Sequence, residues 1–354
     1  MISQYLALYS KGDGMLENRY SRQVLFKAVG EIGQEKLSVS HVVIVGCGAL
    51  GSPIAETLVR AGVGKLTIAD RDYVEPSNLQ RQQLFTEQDA REGIPKVVAA
   101  EKRLKMIRED VEIRKVLDHV DGPLMEEISR NADLLLDATD NFETRLLMND
   151  IAWKTGIPWI YGACVGSSGT VFPFIPGESA CFRCLLPVLP AVNETCDTAG
   201  IIAPAVQITA AHQSAEALKW LTGNKASMRK KVFHFDVWNN THVEAGISRM
   251  RNEVCETCGE NPSYPSLTRS EGTGYAVLCG RDTVQIIPDT ARPLTIADGE
   301  NVAKRLGATY KTTPFFVEFN AEGYRCILFG NGRLLIHGLR DMKEGRKLYH
   351  QFFG

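Results

Sequence analysis

The segment that most constrains this chain is HVVIVGCGALG, His41 to Gly51, an apolar and largely β-branched run that ends on glycine and passes straight into an amphipathic stretch from Ser52 to Arg60. Such a pattern reads strand, tight turn, helix. Gly46, Gly48 and Gly51 set a GxGxxG spacing in the turn, where backbone N–H groups and the helix N-terminus can receive phosphate. A second strand is expected over Lys65 to Ala69, ending at Asp70, where an acid can accept hydrogen bonds from ribose hydroxyls. By itself the glycine motif also suits a simple packing turn. With Asp70 added, it suits a nicotinamide dehydrogenase as well as any other nucleotide enzyme.

Further strands are expected at Val111 to Val116, Leu134 to Asp137 and Trp159 to Ala163, separated by helical patterns at Lys96 to Arg108, Leu124 to Arg130 and Phe142 to Thr155. Repeated alternation of this kind gives an α/β, Rossmann-like, doubly wound sheet that is largely parallel. After Gly162 the pattern turns to short β-rich pieces, a Pro- and Cys-containing loop from Leu185 to Pro204 and a helix from Ala205 to Leu221, so the second part of the sheet is expected to be irregular and antiparallel. Residues 258–273 read as a linker, and the remainder as a small α+β appendage with one helix near Gly299 to Leu306. The expected division is a tail over 1–16, a catalytic domain over 17–262, and the linker with its small domain over 263–354. A chain of 354 residues has room for this.

A composition of 44% apolar and 23% charged residues with a formal net charge of -2 implies no nucleic-acid partner. Met1 to Leu16 lacks the basic start and apolar run of a signal peptide, and no run of residues is apolar enough to span a membrane. A cytoplasmic location is therefore expected.

SNLQRQ (77–82), Pro95-Lys96 and DATDN (137–141) separate the nucleotide readings. Hydride transfer needs none of them. Attack of a carboxylate on an α-phosphate gathers negative charge, which calls for fixed cations around the triphosphate and an acid that holds Mg²⁺. Arg81 and Lys96 can supply the cations and Asp140 the acid, all near the carboxyl ends of strands. Taken singly, Arg81 or Lys96 reads more simply as a solvated surface charge.

Two Cys-x-x-Cys pairs, Cys181/Cys184 and Cys255/Cys258, have the spacing of zinc knuckles and together make a tetrahedral set of four thiolates. The competing reading is two redox dithiols or disulfides. Cys196 differs, because it sits in a Pro-, Asn- and Asp-containing loop from Pro190 to Gly200 where a thiol can act as a nucleophile. Cys47, Cys164, Cys279 and Cys326 read as small buried hydrophobes, and His212, Trp220 and His234 as packing or strand residues.

From Arg19 to about Cys258 the chain resembles the ThiF/MoeB/HesA family, bacterial relatives of ubiquitin-activating enzymes. The resemblance rests on RYSRQ (19–23), GCGALG (46–51), ADRD (69–72), SNLQRQ, the PK pair, DATDN, CFRC (181–184), TCDTAG (195–200) and CETC (255–258) in that order. It implies ATP·Mg²⁺ binding and adenylylation of a ubiquitin-like sulfur-carrier protein, of the ThiS or MoaD type, that ends in Gly-Gly. Thiamin or molybdopterin biosynthesis would be the pathway. By position it assigns nucleotide contacts to Gly46, Gly48, Leu50, Gly51, Asp70 and Asp72, phosphate contacts to Asn78, Arg81, Gln82 and Lys96, and the Mg²⁺ to Asp140. It further implies a homodimer in which Arg22 reaches into the partner subunit's site. A sulfurtransferase or cysteine desulfurase would be the sulfur source. In the ThiF branch the cysteine matching Cys196 takes part in sulfur transfer; in the MoeB branch it is dispensable for adenylation. The segment Leu278 to Asp282 resembles a C-terminal extension of Bacillus-type members, and the tail lacks a rhodanese loop. A nicotinamide-dependent oxidoreductase and a non-catalytic scaffold remain the readings from other classes.

Overall fold

The computed structural model describes residues 19–188, 199–268, 274–278, 282–287 and 294–354. The first sheet has eight strands: β1 (His41–Val45), β2 (Lys65–Ala69), β3 (Glu112–Val116), β4 (Leu134–Asp137), β5 (Trp159–Val165), β6 (Ser168–Phe174), β7 (Val232–Asp236) and β8 (Thr241–Ala245), in the order β3-β2-β1-β4-β5-β6-β7-β8. From β3 to β5 every pairing is parallel, and from β5 to β8 every pairing is antiparallel. The switch is set by the two-residue connection Gly166-Ser167, since Val165 pairs with Ser168 and Gly166 has φ +60°. So short a connection can only return the chain antiparallel, and glycine supplies the positive φ that such turns need.

Alternate residues of the parallel strands face opposite layers, which is why these strands read as continuous apolar runs. On one side Val42, Ile44, Leu66, Ile68, Leu134 and Leu136 pack against helices α1 (Gly30–Val39), α2 (Gly51–Ala61), α3 (Lys96–Ile107) and, further along, α6 (Ala203–Leu221). On the other, Val43, Val45, Leu135, Trp159 and Phe174 meet α4 (Gly122–Ile128) and α5 (Phe142–Thr155). The layered arrangement is the doubly wound sheet expected from the sequence, with its strand tips at one end.

A second sheet of six antiparallel strands follows: β9 (Tyr275–Leu278), β10 (Thr283–Ile286), β11 (Tyr310–Thr312), β12 (Phe316–Ala321), β13 (Tyr324–Phe329) and β14 (Leu334–His337), ordered β11-β12-β13-β14-β10-β9. One face is covered by α7 (Ile296–Arg305) and α8 (Met342–Phe353) through Val302, Leu348 and Phe352. The single helix expected in this region is thus joined by a second. In the interior of α8, Gly345 lies against Val284, where no Cβ would fit. On the other face Phe316, Ile327, Phe329 and Leu335 close around Tyr73 of the first sheet's β2–α3 loop. Nor is the expected linker free: Leu267 packs into the second core layer, and a Cβ at Gly122 would lie 2.2 Å from its carbonyl oxygen. Among the described residues no helix is long and apolar enough to cross a membrane.

Candidate nucleotide site and metal centre

The glycine turn joins β1 to α2 at the strand tips. Gly46 has φ +96°, and a Cβ there would lie 2.3 Å from the Ala138 carbonyl oxygen beyond β4; one at Gly51 would lie 2.1 Å from the Gly46 oxygen. Both positions therefore exclude a side chain. Gly48 is different, because its added Cβ would meet only Gln82 Nε2, at 3.6 Å. The Oε1 of that buried glutamine has no hydrogen-bond partner in the chain. A tight inner turn with an open middle at the N-terminus of an eleven-residue helix is a seat that fits an anion, while the Gln82 oxygen is left to accept from a donor. Leu50 turns its side chain into the core, so only its main chain is available to a ligand.

Behind the turn lies the acidic loop. Asp70 accepts hydrogen bonds from the Cys47 N–H and the Asp72 N–H, both at 2.7 Å. Burial pushes its carboxyl above the usual range, against the pull of the nearby Lys96 ammonium. Lys96 opens α3, and its side chain is only 5% exposed, with Nζ 3.3 Å from Asp72 Oδ2 and its main-chain N–H bonded to the Asp72 carbonyl at 2.9 Å. A solvated surface lysine is therefore excluded. Asn78 is buried in a short 3-10 turn and accepts from the Glu75 N–H at 3.1 Å, while Arg81 is half-buried and donates to the Ser77 carbonyl at 2.9 Å. Asp140 is exposed at the tip of β4, one residue before Asn141 caps α5 by accepting from the Thr144 N–H at 2.8 Å.

Arg22 is not brought to this place. It is exposed on a short helical turn, Ser21–Val24, whose Gln23 donates to the Ala61 carbonyl at the far end of α2. Eleven helical residues put that end roughly 15 Å from the glycine turn. Cys196 and Cys279 lie outside the described residues.

A buried pair that local sequence patterns do not reveal lies beneath the β4 tip. Asp137 is wholly buried and 2.9 Å from Arg145 Nε; it also accepts from the Thr139 N–H and hydroxyl at 2.9 and 2.7 Å. Arg145 in turn donates to the Thr139 carbonyl at 2.8 Å and lies 5.1 Å from the Tyr161 ring centroid. Desolvation works against the Arg145 cation, but the charge and hydrogen bond of Asp137, with Tyr161 and Asp140, together outweigh it and raise the guanidinium's pKa. The pair ties the DATDN loop to α5 and β5.

At the other end of α5 the two Cys-x-x-Cys pairs meet. All four Sγ atoms lie within 4.8 Å of one another, and this group can hold a metal ion. Separations of 3.8 Å for Cys181–Cys184, 3.6 Å for Cys181–Cys255 and 3.5 Å for Cys184–Cys258 exclude disulfides, whose sulfurs are about 2.05 Å apart. Burial pushes the Cys181 and Cys184 thiols up, the latter to about 11. Burial acts on Cys255 in the same sense, yet the Cys258 and Thr257 N–H groups and its thiol neighbours hold it below the usual range. Buried Asp150 braces the cluster by accepting from Arg183 Nη2 at 3.1 Å and from the Ser266 N–H at 2.8 Å. The other cysteines divide: Cys47 and Cys326 are buried as expected, whereas half-buried Cys164 donates to Thr209 Oγ1 at 2.9 Å. His212 packs on Phe233 at 4.7 Å, Trp220 donates to the Asp133 carbonyl, and His234 lies on β7 beside Thr170.

A doubly wound sheet with a glycine turn open to an anion, a buried lysine behind it and a four-thiol cluster at the opposite end of a helix fits a class of nucleotide-binding protein other than a dehydrogenase. Within that class the chain belongs to the ThiF family, whose match covers residues 20–257. It is similar to the sulfur carrier protein ThiS adenylyltransferase of Bacillus subtilis, 44% identical over 96% of this chain and 100% of the relative. It is also similar to the molybdopterin-synthase adenylyltransferase of Escherichia coli, 36% identical over 68% of this chain and 96% of the relative. Among solved structures, the microcin C7 biosynthetic enzyme MccB in complex with N-formylated MccA shares the fold, with a TM-score of 0.60 over 69% of this chain and 75% of that one at 24% identity.

Proposed function

We infer that the protein is an ATP-dependent adenylyltransferase that joins AMP to the C-terminal glycine carboxylate of a ubiquitin-like sulfur-carrier protein, for thiamin or molybdopterin biosynthesis. The observation that carries this reading is buried Lys96, paired with half-buried Asp72 behind the glycine turn. A lysine taken out of water beside an anion seat serves a transition state that gathers negative charge, and hydride transfer has no use for it. The ThiS-type carrier is favoured over the MoaD type by the Bacillus relative, whose similarity spans the whole of its own length and takes in the second sheet.

In the reaction a carboxylate oxygen of the carrier attacks the α-phosphorus of ATP, the new O–P bond forms, and pyrophosphate leaves with the electron pair of the broken bond. Asp70 holds the ribose hydroxyls while the turn at Gly46, Gly48 and Gly51 receives phosphate oxygens. Asn78, Arg81, Gln82 and Lys96 surround the triphosphate, where the orphaned Gln82 Oε1 can accept from the nucleotide or a bound water. Asp140, exposed at the β4 tip, would hold Mg²⁺, which would supply neutralisation of phosphate charge. The four thiols are suited to zinc: Zn–S bonds of about 2.3 Å make a tetrahedron with edges of roughly 3.8 Å, close to the sulfur separations given above. With no open position it would staple the chain and take no part in the chemistry.

The position of Arg22 far from its own chain's turn supports a homodimer in which it completes the partner subunit's site. A cytoplasmic location, an adenylation domain over 17–262 with a smaller domain after it, and sulfur delivery by a sulfurtransferase or cysteine desulfurase, with or without Cys196, complete the reading. Carrier-dependent exchange of labelled pyrophosphate into ATP tests it. Lys96→Ala is expected to lower exchange by roughly a hundredfold, and Asp140→Ala to abolish it. Normal exchange in a folded Lys96→Ala protein would refute the assignment.

A further inference from the structure

Of the charged groups through which the second sheet reaches the β2–α3 loop, Arg333, Arg325 and Lys311, the most deeply buried is Arg333. Arg333 lies just past the turn at Asn331 and Gly332, between β13 and β14, and is only 3% exposed. Its Nη2 donates to the main-chain carbonyl of Arg71, the residue between Asp70 and Asp72. Nη1 donates to buried Gln285 Oε1 at 3.4 Å, and the guanidinium carbon lies 4.1 Å from the Phe329 ring centroid. Around it the contact between the sheets is firm. Tyr73 meets Phe316 at 5.4 Å and Phe329 at 6.0 Å, and Lys311 Nζ donates to the Arg91 carbonyl at 2.6 Å.

A buried guanidinium is unfavourable unless neighbours replace its water, and an apolar side chain would close such an interface at less cost. What distinguishes this place is the charge facing it. Burial lowers the Arg333 pKa to about 10, with Asp72, Asp70 and Asp118 acting to raise it and Arg71 to lower it. Asp70 and Asp72 are the two carboxylates through which the acidic loop is joined to Cys47 and Lys96. Beside the contact a cleft of about 190 Å³, lined by Arg71, Leu117, Phe315 and Arg333 among others, lies between the β2 and β3 tips and the second sheet.

We propose that Arg333 is a positioning residue for the nucleotide: by bonding the carbonyl of Arg71, the residue between the two carboxylates, it fixes the Asp70–Asp72 turn from the second sheet, so that ATP affinity depends on that sheet. The inference rests on the reading that Asp70 and Lys96 hold ATP. It gives the second sheet a part in the reaction without giving it a reacting group. Arg333 acts through the turn, so it should influence how ATP is held and leave the carrier's docking alone.

The test uses the full chain with ATP·Mg²⁺ and carrier. Arg333→Met is expected to raise the KM for ATP about tenfold, with kcat and the KM for carrier within about twofold, and Arg333→Lys to recover most of the loss. In an Asp72→Asn background the effect of Arg333→Met on the ATP Kd, read by calorimetry, should shrink below about twofold, since both changes act on one turn. An unchanged KM for ATP in folded Arg333→Met, or equal losses in every parameter with no rescue by lysine, overturns the proposal. If the methionine variant does not fold, Arg333→Gln takes its place: a rise confined to the KM for ATP supports the proposal, and an unchanged KM for ATP overturns it. Failure of the wild-type protein to bind ATP, or undiminished binding by Asp70→Asn, sinks the functional reading itself. Weakened Asp70→Asn beside unchanged Arg333 variants sinks only this inference.

Discussion

Acid gives a direct test of how the acidic turn is held. Arg71 Nη1 donates to His119 Nδ1 at 2.9 Å, which requires that nitrogen to be unprotonated and the ring neutral. Burial, and then the Arg71 charge, lower the His119 pKa to about 4, whereas a histidine in an unfolded chain titrates near about 6.5. Because the folded value is the lower one, the unfolded chain takes up the proton first as the pH falls. The stability contributed by neutral His119 is therefore complete above about pH 6.5 and is lost between there and about pH 4. Linkage puts the loss at about 1.4 kcal/mol near pH 5.5 and about 2.5 kcal/mol near pH 4.5, approaching a limit of about 3 kcal/mol. His119→Gln removes the titration while leaving an oxygen that can accept from Arg71. Urea unfolding of both proteins across this range, at unchanged m-value, should show the difference in stability moving in favour of the variant by those amounts. A difference that stays flat from about pH 7 to about pH 4.5 would refute the placement of a neutral histidine against Arg71.

Two further outcomes follow from buried charges and thiols. Arg145→Met leaves Asp137 buried without its cation and should cost about 3–5 kcal/mol in urea unfolding; a cost under about 1 kcal/mol would show that the pair does not hold the DATDN loop. Protein purified without chelator should contain one zinc per chain, lost in Cys255→Ser together with a marked fall in Tm, because metal binding at such sites is coupled to folding. Metal analysis that finds no zinc would remove the staple from the reading.

What the sequence made legible were features whose signal is local. The strand before Gly46 and the helix after Gly51 differ in period, so the turn between them shows in a short window. The Cys-x-x-Cys pairs are legible for a similar reason, since each pair's spacing carries its own chemistry, although only the fold could show the four sulfurs within reach of one another. Arg145 was hidden because an arginine on a helix reads as a surface charge. Its signal lay in another element: Asp137 ends a strand buried throughout, LLLD, and a carboxylate there needs a buried partner. Arg333 was harder still. It follows Asn331-Gly332, which reads as an exposed turn, and its burial depends on the second sheet closing over Tyr73, a contact between segments far apart in the chain that no local pattern encodes.

The four-thiol cluster also has a consequence in time. Its two halves are separated by 74 residues, Cys181 to Cys255, and that interval contains α6, β7 and β8. Cys181 is fully enclosed, with Cys255 and Cys258 8% and 3% exposed. Only Cys184 is partly exposed, so an ion held there would be approached on one side at most and would exchange most readily when a segment between the pairs opens. Its residence time is then governed by the rate of that local opening and not by the strength of any one metal–sulfur bond. Within the ThiF-type fold, metal exchange followed against an external chelator would therefore act as a clock for the loosening of α6, the helix packed against the glycine turn's own α2.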